Sequence, residues 1–148
     1  MRIIDSHVHF PTPDFFGKSE GSVHPWLAQE RARWRKAWQF DGAEPLFSQN
    51  ELVERWYREA IEYDISVVFV TSGGNDAMSQ IVKAHPDRFY GYAHHDPSMK
   101  EAPQLLEKAV REQGLRGYKI LGPAVNTPLD SKDLYPVWEV AQGENIPV

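Results

Sequence analysis

Ile65-Ser66-Val67-Val68-Phe69-Val70, closed by Thr71-Ser72-Gly73-Gly74-Asn75, decides the fold class. The run is short, nearly continuous in apolar character and rich in β-branched residues. It reads as a strand buried on both faces, as in a parallel sheet. The small polar residues after it break the strand. Upstream, Ser48-Gln49-Asn50-Glu51 has the spacing of a capping box. Leu52, Val53, Trp56, Tyr57, Ala60 and Ile61 follow as one apolar stripe at helical spacing. Downstream, Met78, Ile81 and Val82 mark a second helix over about 76–84. It stops before His85-Pro86, because a residue preceding proline avoids the helical region.

The alternation continues in both directions. The opening segment, 1–10, is an apolar first strand, and 89–94 reads as the third. A third helix spans 102–113, with Pro103 tolerated in its first turn and Gly114 at its end. A fourth strand covers 115–121. A short helix over 134–142 carries Pro136 near its start, and Ile146-Pro147-Val148 resembles the opening of a fifth strand. Strands alternating with helices predict βαβ units and a parallel α/β sheet. A complete (β/α)8 barrel takes about 250 residues. The 148 residues therefore read as one domain that supplies roughly the first four βα units of a TIM-type barrel.

Composition narrows the function. Apolar content of 41% and charged content of 25% are those of a globular protein. There is no cysteine, so thiolate metal sites and disulfides are excluded. The formal charge of -5 argues against nucleic acid as the main partner. No apolar run reaches the length of a membrane span, and no secretory signal is visible at the N-terminus, so the expected location is cytoplasmic.

His7 and His9 stand at the carboxyl end of the first strand, the end at which α/β barrels place their chemistry. Residues two apart in a strand point the same way, so both imidazoles are placed to chelate one ion. The alternative is two polar residues leaving a strand for a loop.

Beyond these two histidines, Ile4-Asp5-Ser6-His7-Val8-His9, His85-Pro86-Asp87-Arg88-Phe89-Tyr90-Gly91, Asp96-Pro97 and Gly117-Tyr118-Lys119-Ile120 follow one another along the chain. Together they resemble the metal-dependent amidohydrolase superfamily, in particular the amidohydrolase 2 branch that includes aminocarboxymuconate-semialdehyde decarboxylase-like enzymes. The resemblance implies a (β/α)8 barrel with a divalent cation, zinc first and manganese second, held in part by His7 and His9. It implies further ligands from later strands, among them an Asp on strand eight that acts as general base. No such position falls within the 148 residues, so the catalytic residue is unassigned. Relatives often continue the fourth strand with a His where this chain has Leu121.

Other residues carry competing readings. Asp5 shares the expected strand face of His7 and His9. It either orients a ligand from behind or is a structural carboxylate bonded to backbone amides. Lys119 holds a substrate carboxylate, bridges two metals as a carboxylated lysine, or pairs with an inward acid such as Asp5. Of His94 and His95, only one can face inward. Small Gly91 and Ala93 favour His95 as the inward, substrate-binding residue, against a rim histidine that caps the next loop. Residues 10–48 form an aromatic-rich insertion placed to act as a lid.

A divalent ion at such a site lowers the pKa of bound water towards about 7 and polarises a carbonyl. The first reading is hydrolysis of a small-molecule amide, lactone or related bond. The second is metal-dependent non-oxidative decarboxylation. A third is an incomplete, non-catalytic half-barrel, whose open sheet edge invites association, including into a homo-oligomer. Two ligands alone predict weak, labile metal binding.

Overall fold

The computed structural model describes residues 2–10 and 48–148. The aromatic insertion lies almost wholly outside them. The elements are β1 (Ile3–His9), α1 (Gln49–Glu62), β2 (Ile65–Thr71), α2 (Asn75–Ala84), β3 (Phe89–Gly91), β4 (Ala93–His94), α3 (Ala102–Arg111), β5 (Tyr118–Lys119) and α4 (Tyr135–Gly143). Two short 3-10 turns, Gly122–Ala124 and Lys132–Leu134, precede α4. The result is an α/β fold with parallel sheets.

All strand pairs are parallel. β2 lies between β1 and β3, and β4 pairs with β5. The expected third strand is split at Tyr92, where the chain changes partners. The Tyr92 N–H still donates to the Phe69 carbonyl at 2.9 Å, and the Arg116 N–H donates to the Gly91 carbonyl at 2.8 Å. Backbone bonding therefore crosses the split. The fourth strand is regular only at Tyr118–Lys119, shorter than expected. The Tyr118 N–H donates to the Pro147 carbonyl at 2.9 Å. Residues 146–148 thus meet β5 where a fifth strand was expected.

The local signals act as read. Ser48 caps α1, its Oγ accepting from the Glu51 N–H at 3.3 Å, while Glu51 Oε2 accepts from the Ser48 N–H at 2.8 Å. Ile61, placed on the apolar stripe of α1, is 45% exposed instead. It sits at the far end of the helix, whose buried residues are Val53 and Ala60. Gly114 takes φ +77 after α3, a left-handed conformation that costs glycine nothing.

The core lies between strands and helices. Val8, Phe10, Val67, Phe69, Phe89, Ala93 and Tyr118 are buried with Val53, Ala60, Met78, Ile81, Leu106 and Ala109 of the helices. Phe69 is at its centre, edge-on to Phe10 at 5.3 Å and to Phe89 at 5.1 Å between ring centres. Such T-shaped pairs add about 0.5–1.5 kcal/mol each beyond burial. At the amino-terminal end of the sheet, Arg88 bonds Asp64 at 2.7 Å. His85 stacks on Tyr57 at 3.6 Å and meets Glu54 at 2.8 Å.

Alternation along each strand separates two faces. Val8, Phe10, Ala93 and Tyr118 face the helices. Their neighbours His7, His9, His94 and Lys119 fall on the other side.

Candidate metal centre

His7 and His9 flank buried Val8 at the end of β1, and both are exposed. Their ring centres lie 5.4 Å apart with planes at 37°. Two imidazoles sharing one tetrahedral ion, with each nitrogen about 2.0–2.1 Å from it, hold their ring centres about 5 Å apart. The pair therefore fits a shared divalent cation. Among the described residues no group of three or more His, Cys, Asp or Glu gathers to hold a metal, so the donor set here is two imidazoles.

His9 Nδ1 lies 2.7 Å from Thr71 Oγ1. With the proton on Nδ1 donated to Thr71, Nε2 offers its lone pair, the arrangement usual for ligating histidines. Partial burial holds the His9 pKa below its ordinary value, helped by the nearby His7, Lys119 and His94. The neutral form is the one a metal needs. The sequence reading missed Thr71. Its signal is a hydroxyl ending the second strand, next to the strand that carries the histidines.

Asp5 does not join this face by simple alternation. It pairs with Val67 while Val8 pairs with Phe69, so β1 slips by one residue between them. Such bulges re-aim side chains. At the slip the His7 N–H donates to Asp5 Oδ1 at 3.4 Å. Of the two roles weighed for Asp5, the structure places it on backbone, not on an imidazole ring.

Lys119 stands in register with His94 across β4 and β5, so both point to the same side as His9. Among the described residues Lys119 makes no ion pair with Asp5 or another acid. His95 is the expectation that needs correction. It follows the phase of buried Ala93 and turns towards the helices. Its Nε2 bonds the Ala102 carbonyl at 3.1 Å, and its ring lies 4.7 Å from that of Tyr118. The small residues that favoured an inward His95 serve a different purpose. A methyl at Gly91 would stand 2.8 Å from Met78 Sδ, so Gly91 is small because α2 presses on it. His94 is the inward histidine.

Among the described residues two clefts lie elsewhere, neither lined by His7 or His9. One of about 240 Å³ runs behind His94 and His95 beside Asn75 and Leu105. The other, about 480 Å³, lies by Gly114 and Arg116 at the opposite end of β5.

Parallel strands linked through helices, with two imidazoles on the carboxyl end of the first, define an α/β protein with a candidate metal centre. The chain belongs to the amidohydrolase family, whose model matches residues 4–148. No curated protein matches it significantly. Two crystal structures of 5-carboxyvanillate decarboxylase from Novosphingobium aromaticivorans are similar in fold, each with TM-score 0.65 and 18% identity over 99% of this chain. One is a point mutant with bound manganese and 3-methoxy-4-hydroxy-5-nitrobenzoic acid. The other is complexed with manganese and 4-hydroxy-3-methoxy-5-nitrobenzoic acid. The present chain spans 49% of the length of that enzyme. Among the described residues no helix is long and apolar enough to cross a membrane.

Proposed function

We propose that this chain forms the first four βα units of a (β/α)8 barrel and the metal-binding wall of a hydrolase active site. His7 and His9 supply two ligands to a divalent cation, zinc or manganese. The observation that carries the reading is their spacing of 5.4 Å at the carboxyl end of β1, with His9 Nδ1 on Thr71. When bound, the ion supplies an activated water for attack on a small-molecule amide, lactone or related bond. Lys119, facing the same side, holds an anionic group of the substrate as a point charge. His95, turned to the helices, contributes by position and not by contact with substrate. The expected setting is cytoplasmic, with no nucleic-acid or membrane partner.

Non-oxidative decarboxylation is the second reading. It is favoured by the fold-level likeness to a manganese-binding decarboxylase. Both readings use the same imidazole pair. Expression from the complete reading frame, loading with manganese or zinc, and assay against lactones, amides and carboxylated aromatic rings separates them. Acid or amine release supports hydrolysis, and carbon dioxide release supports decarboxylation. A His7→Ala, His9→Ala double variant that keeps stoichiometric metal and full turnover overturns both.

A further inference from the structure

The face of β4 and β5 that turns away from the helices is built in layers. Tyr92 lies between buried Gly91 and Ala93, so its ring falls on the side of His94. Gly117, two residues before Lys119, makes room for that ring: a methyl on Gly117 would stand 2.5 Å from Tyr92 Cε1. The Tyr92 ring therefore closes the layer beneath Lys119. In the next layer Lys119 and His94 stand in register. The Lys119 ammonium is near enough to His9 to disfavour a charge on that imidazole. Above this layer the alternation runs on past the end of β5. Ile120 packs against the core, and Leu121 is 54% exposed on the face of Lys119. Leu129, also exposed, stands beside it, its Cδ1 3.7 Å from a methyl built on Gly122. The Trp138 indole N–H fixes that loop by donating to the Leu129 carbonyl at 3.1 Å. Neither leucine belongs to the core cluster, so packing does not account for them.

We propose that the site takes a monocarboxylic acid with a hydrocarbon body, its carboxylate on Lys119 and its apolar body on Leu121 and Leu129. This rests on the reading of the site given above and names its substrate class. Ligand sites are largely apolar surfaces on which a few placed polar groups fix orientation, and one ammonium beside two open leucines has that composition. Lys119 supplies a point charge for one anion. A second carboxylate on the same molecule would meet the leucines and lose its hydration there without a partner. Leu121 is then the specificity residue, selecting a hydrocarbon group over a second charge.

Benzoate, succinate and benzyl alcohol are the probes, titrated into the metal-free full-length protein and followed through the methyl signals of Leu121 and Leu129. Leaving out the metal keeps carboxylates from binding to the ion itself. Benzoate should bind at least about 10-fold more tightly than succinate, which lacks the apolar body, or benzyl alcohol, which lacks the charge. Leu121→Asn should weaken benzoate by about 10-fold and leave succinate unchanged. Lys119→Met should weaken benzoate and succinate alike and leave benzyl alcohol unchanged. Both side chains lie outside the core cluster, so both variants should melt with the parent. Benzoate that fails to bind, binds no better than succinate, or binds Leu121→Asn as tightly as the parent overturns the proposal. Manganese is then added to the same preparations, and broadening of the His7 and His9 signals is read. Its absence in the parent protein overturns the metal reading instead, so the two failures are told apart.

Discussion

The two faces of the same strands obey different rules. On the side of the helices, Phe69, Phe89, Ala93 and Tyr118 are sealed against side chains from the helices. On the other side, His7 and His9 are exposed, while His94 and Lys119 are half-buried. The central strand β2 is buried on both faces, Ser66 and Val70 as well as Val67 and Phe69, while the ends of β1, β4 and β5 alternate between a packed residue and a less buried one. The packed face holds the architecture, and the released face is free to carry donors and charge.

The sharpest way to break this contrast is at Phe69. Phe69→Ala should cost about 3–5 kcal/mol, read by urea unfolding, because its ring is fully buried among aromatics. On the released face, His9→Ala should abolish metal binding in a calorimetric titration while moving stability by no more than about 0.5 kcal/mol. A large loss of stability there would erase the distinction between faces. Thr71→Val tests the support behind the metal site. It should weaken metal affinity by about 10–100-fold without unfolding the chain.

Ser48→Ala removes one half of the capping box and should cost about 1 kcal/mol, with no effect on metal affinity. The smallest effect is a pH slope. Burial holds the His95 imidazole below its ordinary value, against the Ala102 carbonyl, which favours protonation. The unfolded chain then binds that proton more tightly than the folded one. Stability from this group is complete above the ordinary histidine range, near about 6.5, and is lost as pH falls through the folded-state value. Thermal melts from pH 7.5 to 5 should show the decline, and His95→Gln should flatten it.

Much of this was legible in the sequence, for reasons that differ by residue. The run at 65–70 and the Ser48–Glu51 box are local signals, and local physics decided them. The shared face of His7 and His9 was legible because the two-residue alternation survives from His7 to Phe10. The role of Asp5 was not, because the register slip after it depends on β2, which is distant in sequence. His95 was misplaced for a related reason. Gly91 and Ala93 were read as leaving room inside the sheet, whereas the demand for small residues came from Met78 on α2. The Thr71 bond to His9 spans 62 positions along the chain, so no window of sequence contained it.

The amino-terminal end of the sheet is fastened by Arg88 with Asp64 and by the Tyr57–His85 stack, none of which reaches the histidine rim. Those fold contacts and the imidazole pair therefore fall on separate residues. A library randomised at Thr71 and Lys119 would vary the histidine rim while leaving those fastenings untouched.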